Sequence, residues 1–121
     1  MLLATSGDTL YLERRPAAGI WGGLWSLPEL DAGTPAASWC ERHIGSSADT
    51  EEQWGTLRHS FSHYDLDIQP VVVRLSVHSA SVEDRDDAVW YRLDEAPPGG
   101  LAAPVKKLIQ ALRESRDGTH G

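Results

Sequence analysis

The sequence predicts an α/β fold: a mixed β-sheet sandwiched by helices, in a single domain. Three observations carry this expectation. Strand-like and helix-like segments follow one another in the order strand, strand, helix, strands, helix. Two periodicities coexist: Thr9, Tyr11 and Glu13 alternate with Leu10 and Leu12, whereas Val105, Leu108, Ile109 and Leu112 fall at i, i+3, i+4 and i+7. The length of 121 residues, with 40% apolar and 24% charged side chains, suits one core of ordinary composition.

Residues 1–5 and 9–14 read as two strands joined by the Ser6-Gly7-Asp8 turn, the second half-buried by its two-residue alternation. Residues 16–28, PAAGIWGGLWSLP, are dense in Gly, Pro and Trp and form an ordered loop. A first helix starts with Thr34 as N-cap and Pro35 at the first helical position, and stops at Gly45. Ala36, Trp39, Cys40 and Ile44 line its buried stripe. Residues 46–53 are polar and are expected to be a loop. Strand signals resume after Gly55, run through Leu57 and Phe61, alternate over residues 64–68, and become strongly β-prone over residues 71–77. Pro70 marks a bulge or edge between the last two, and Val89 to Leu93 add one more strand. Pro104 opens a closing helix whose solvent side holds Lys106, Lys107 and Arg113. The folded domain is expected over residues 1–114, with 115–121 as a flexible C-terminal tail.

A formal net charge of −7 argues against sequence-blind nucleic-acid binding, which draws its strength from Lys and Arg neutralising phosphates. It leaves room for local contact with DNA when another domain supplies the positive field. The acids gather in residues 49–52 and 83–87, which read as solvated loops. A single cysteine, Cys40, excludes an internal disulfide and suits a reducing compartment. Leu2-Leu3-Ala4 is cut short by polar residues, so no signal-peptide core forms. No apolar run approaches the ~18 residues of a membrane span. The expected location is the cytoplasm.

The segment LRHSFSH, residues 57–63, concentrates candidate chemistry. His59 and His63, with Cys40 and His43 upstream, have spacings compatible with zinc ligands. In extended chain, however, residues four apart lie about 13 Å from each other, and Cys40 already serves the apolar stripe of the first helix. A hydrolytic Ser62 lacks the G-x-S-x-G elbow. The glycine-rich stretch Gly19 to Pro28 is neither a Walker loop nor a dinucleotide fingerprint.

That stretch resembles the approach to the Nudix hydrolase signature, G-x5-E-x7-R-E-U-x-E-E-x-G-U. Gly23 and Glu29 keep its first separation, but the R-E-U-x-E-E positions read Ala37-Ser38-Trp39-Cys40-Glu41-Arg42. The glutamates of that signature hold magnesium, which needs several hard oxygen ligands. One glutamate beside an arginine does not supply them.

Four stretches taken together point to a more specific resemblance: residues 12–16 (LERRP), Gly19 to Pro28, residues 58–63 (RHSFSH) and residues 100–105 (GLAAPV). In this order, over nearly the whole chain, they are similar to the C-terminal domain of bacterial adenine DNA glycosylases, the MutY family. The resemblance implies a Nudix-like, non-catalytic domain that reads 8-oxoguanine opposite the adenine to be excised. Recognition would fall to Phe61, Ser62 and His63, with Arg58, His59, Trp21 and Trp25 flanking or supporting them. It implies no catalytic residue, metal or cofactor in this chain, and an iron–sulfur cluster in an N-terminal glycosylase domain. The expected partners are that domain and duplex DNA bearing the 8-oxoguanine:adenine pair, around a monomeric protein in the bacterial cytoplasm. The chemistry is compatible: oxidation at C8 turns N7 from acceptor into donor, and a serine hydroxyl both donates and accepts. An imidazole in the major groove would meet the amino group of a syn guanine. Two other readings stand beside this one, a Nudix-type nucleotide pyrophosphohydrolase and a protein-interaction domain built on the tryptophan loop.

Overall fold

The computed structural model of the chain describes residues 1–19, 21–31, 33–76, 82 and 85–118. Its centre is a six-stranded mixed sheet. β1 (Leu2–Ser6) runs antiparallel to β2 (Thr9–Arg14) and parallel to β7 (Val71–Leu75). β4 (Ala48–Gln53) closes one edge on β7, while β2 also takes β3 (Trp25–Ser26) and β8 (Ala88–Arg92). β5 (Leu57–Ser60) and β6 (Asp65–Ile68) form a separate antiparallel hairpin.

The sheet is covered on both faces, because side chains alternate along every strand. Leu3, Leu10, Leu12 and Tyr91 face α2 (Ala103–Gly118), where Val105, Leu108, Ile109 and Leu112 are buried. Leu2, Ala4, Tyr11 and Val73 face α1 (Ala36–His43), where Ala36, Cys40 and the following Ile44 are buried. The mixed sheet between helices is therefore present as the sequence predicts. β2, however, is buried on both sides rather than one: Tyr11 is wholly enclosed beneath α1.

Four local expectations need correction. Residues 48–53 are the edge strand β4, not a loop. Their polar sequence fits an edge whose side chains are almost all exposed, with a bulge between Ala48 and Thr50. α1 is capped by Pro35, with no side-chain cap from Thr34, although Gly45 does stop it in a left-handed turn (φ 84°). Arg113 leaves the solvent side of α2. It donates to the Leu93 carbonyl at 2.9 Å and to the Tyr91 hydroxyl at 2.5 Å. Helix α2 continues to Gly118, beyond the Ser115 at which a tail was expected. Val77, Glu83 and Asp84, which figured in the strand and acidic-run readings, lie outside the described residues, as does Ile20 of the glycine-rich loop. No helix among the described residues is long and apolar enough to cross a membrane.

Candidate nucleic-acid interface

The site is built on the β5–β6 hairpin. Its register pairs Leu57 with Ile68, Arg58 with Asp67, His59 with Leu66 and Ser60 with Asp65. The two-residue alternation then divides its faces. Leu57, Leu66 and Ile68 pack into the α2-side core, which fixes the register because a one-residue slip would expose all three. His59 shares their face, whereas Arg58, Ser60, Asp65 and Asp67 are exposed.

The tip of this hairpin is the Phe61-Ser62-His63-Tyr64 turn. The Phe61 N–H donates to the Tyr64 carbonyl at 2.7 Å, and the two rings stack with centroids 4.6 Å apart. Ser62 and His63, between them, are both exposed. Aromatic contacts continue inward: Phe61 meets His59 edge-on at 4.6 Å and Trp21 at 5.6 Å, and Trp21 meets His59 at 5.7 Å. Ser62 and His63 therefore stand on a base of four rings, which restricts their backbone without covering their side chains.

Trp21 comes from the glycine-rich loop, and its backbone is unusual. Among the described residues it alone has a positive φ without being glycine, at 54°. A bulky residue there is strained. The loop holds it through close backbone contacts: Gly23 N–H reaches the Arg15 and Pro16 carbonyls at 3.2 Å, and Leu24 N–H reaches Trp21 O at 3.1 Å. Gly22 lies against Ala17 so tightly that a Cβ would come within 2.9 Å of the Ala17 carbonyl carbon. The glycines of this loop thus serve close packing, and what they present is a tryptophan aimed at the hairpin.

Arg58, expected to flank or support the recognition residues, acts within the hairpin itself. Its guanidinium grips Asp67 across the hairpin with two hydrogen bonds, Nε–Oδ1 at 2.8 Å and Nη2–Oδ2 at 3.3 Å, and lies 4.0 Å from Asp65. Hydrogen bonding to Arg58 holds the Asp67 carboxyl below its ordinary value. The cation is thereby neutralised on the solvent face, and Arg58 ties the two strands together.

Trp25 is also displaced from the tip. It lies in β3, accepts Ala102 N–H at 3.0 Å, donates its own N–H to Gly100 at 2.8 Å, and packs partly into the core under Arg14. It braces the segment before α2 rather than the turn. Glu29, the residue that keeps the Nudix separation, is ion-paired with Arg15 at 3.4 Å. A cleft of about 410 Å³ opens at the base of the hairpin, lined by Met1, Glu29, Leu66, Asp67 and Gln69 among others. Ser62 and His63 are not in its wall; both are exposed on the turn at the hairpin tip.

Cys40 is buried in the α1-side core, and burial, with Glu51 and Glu41 adding, pushes its thiol up to about 11. His43 is stacked on Trp39 at 4.4 Å. Among the described residues no group of three His, Cys, Asp or Glu side chains is placed to hold a metal ion. On α1 the only acidic residue is Glu41. Sequence reasoning missed Tyr64 at the tip and the Arg85 network, in which Arg85 donates to Tyr11 Oη at 2.8 Å while Tyr11 donates to Glu13 at 2.8 Å. The alternation over residues 64–68 placed Tyr64 in a strand, but its stacking partner is visible only once the turn closes.

A mixed sheet between two helices, with a glycine-rich loop leading toward α1, defines a Nudix-type domain. The NUDIX domain family model matches residues 1–111, and the chain belongs to this family. In sequence it is similar to adenine DNA glycosylases. It is 27% identical over 109 residues to one from Buchnera aphidicola of Acyrthosiphon pisum, covering 89% of this chain and 31% of that protein. To one from Rattus norvegicus it is 24% identical over 127 residues, covering 96% and 24%. The chain thus spans less than a third of the length of these relatives. In fold it is similar to the C-terminal domain of mouse MUTYH, solved in complex with human PCNA, with a TM-score of 0.72, 19% identity, and 96% and 86% coverage. A MutT NUDIX hydrolase from Burkholderia pseudomallei gives 0.56, 16%, and 90% and 92%.

Proposed function

We propose that this chain is the damage-reading domain of an adenine DNA glycosylase, and that Phe61, Ser62 and His63 read 8-oxoguanine opposite the adenine to be excised. The observation that carries the reading is the exposed turn. Two adjacent side chains able to donate and accept stand exposed on a fixed aromatic base, which suits contact with base edges in a groove rather than enclosure of a small molecule. His59 and Trp21 support the tip from the inner face; Arg58 sets the hairpin rather than the contact. The similarity to adenine DNA glycosylases supports the assignment.

In this reading the chain performs no catalysis alone. Excision belongs to the remainder of a longer protein, and the iron–sulfur cluster implied by the resemblance belongs there too, since one buried cysteine does not fit a four-thiolate cluster. The acidic balance of this domain makes its DNA contact depend on that remainder for positive charge.

The test joins the domain to a glycosylase half and compares adenine excision opposite 8-oxoguanine with excision opposite guanine. A side chain with good geometry on a base edge contributes roughly 1–3 kcal/mol of discrimination. In Ser62→Ala/His63→Ala the preference for the oxidised pair is expected to shrink by an amount in that range, with circular dichroism unchanged. A folded double variant that keeps the full preference refutes the reading.

A further inference from the structure

We infer that Tyr64 is a further DNA-contacting residue, one that anchors the backbone of the strand being read while Ser62 and His63 discriminate its base. This rests on the proposed reading of the tip and extends it. Tyr64 is the one large apolar side chain among the described residues that is mostly exposed, at 53%. Exposure alone means little, but here the ring is also fixed. Its stack on Phe61 is inclined by only 26°, and the backbone hydrogen bond of the turn holds both residues together. One ring face is thus occupied, while about half of the side chain stays open to solvent one and two residues along the chain from His63 and Ser62.

The local charge makes a hydroxyl the fitting group for a phosphate. The only Lys or Arg on the hairpin strands, Arg58, is held by Asp67 and approached by Asp65. A DNA strand laid along the tip therefore meets no free Lys or Arg from the hairpin, and a side-chain hydroxyl is a donor the tip itself offers to phosphate oxygens. Tyrosine hydroxyls commonly serve in this way, and such contacts set register without carrying sequence information. A ring already stacked also loses little freedom on binding, since the Phe61 contact has ordered it.

This division of labour is readable. The domain, isotopically labelled and joined to an unlabelled glycosylase half that supplies the positive charge, is titrated at low salt with two short duplexes, one carrying 8-oxoguanine opposite adenine and one guanine opposite adenine. Amide shifts of residues 61–64 report the contact. Tyr64→Phe keeps the stack and removes the donor; it is expected to raise Kd about two- to tenfold on both duplexes equally. Tyr64→Leu, which also loses the ring, is expected to weaken both further. Ser62→Ala/His63→Ala should instead bring the two affinities together. If Tyr64→Phe titrates like the natural chain, or narrows the difference between duplexes, the inference about Tyr64 is overturned while the reading of the loop survives. If the amides of Ser62 and His63 in the natural chain move with neither duplex, the reading of the loop itself falls.

Discussion

Substituting Gly22 by alanine tests how the tryptophan loop is held against the hairpin. Gly22 is not among the residues with positive φ, so alanine fits its backbone conformation and, by restricting the unfolded chain, would contribute about 0.4–1 kcal/mol of stability. The opposing effect is steric. A Cβ here would lie 2.9 Å from the Ala17 carbonyl carbon and 3.2 Å from the Pro16 oxygen, and closer still to the Ala17 oxygen. All three are backbone atoms, so relief requires the chain around residues 16–17 to part from residues 21–23. That movement disturbs the hydrogen bonds from Gly23 to Arg15 and Pro16. It also withdraws Trp21 from His59 and Phe61. Overpacking of this kind costs about 1–3 kcal/mol, and loosened aromatic contacts add about 0.5–1.5 kcal/mol. The steric effect outweighs the entropic one, leaving a net loss of roughly 1–3 kcal/mol. With a urea dependence of about 1–3 kcal/mol per molar for a domain of this size, the unfolding midpoint should fall by about 1 M. The Trp21 indole and the amides of His59 and Phe61 should shift in the same variant. A midpoint unchanged within about 0.2 M, with the indole signal in place, would show that the close approach at Gly22 does not hold the loop.

Three further outcomes are expected. Incubation with Mg²⁺ or Mn²⁺ and oxidised dGTP should release no pyrophosphate above a blank, because α1 carries Glu41 alone where a magnesium site needs several carboxylates; steady turnover would contradict this. Cys40, buried and with its thiol pushed up to about 11, should be nearly inert to a disulfide reagent at pH 8 and react promptly only in denaturant, which a native-state labelling time course measures. Asp67, held below its ordinary value by Arg58, should titrate at higher pH in Arg58→Met when followed by carboxyl chemical shift. Since its folded-state value is the depressed one, its support of the hairpin is present above the unfolded value of about 3.9 and is lost as pH falls through the folded value. Equal midpoints with and without Arg58 would dismiss the pairing.

The sequence by itself determined the order of the apolar elements outside the tryptophan loop, the apolar stripe of α2 and the alternation of β2, because helical and strand periodicities are local properties of the chain. It also carried the family resemblance, in words such as those around Trp21 and Phe61. It misread β4, since a charged edge strand has no apolar pattern of its own and gains its structure from pairing with β7. Arg113 went the same way: its helical position faces outward, but Leu93 and Tyr91, some twenty residues distant, supply the acceptors that draw it in. At the site, the composition of the tip was legible and its geometry was not. Arg58 was placed beside the recognition residues, but only the hairpin register sets Asp67 opposite it. Trp21 and Trp25 belong to one short loop, yet one turns toward His59 and Phe61 while the other braces the segment before α2. What separates them is a left-handed backbone at Trp21 and a sheet register at Trp25. The first is held by backbone contacts within residues 15–24, the second by pairing with β2 and with the segment before α2, and neither leaves a periodic pattern in the sequence.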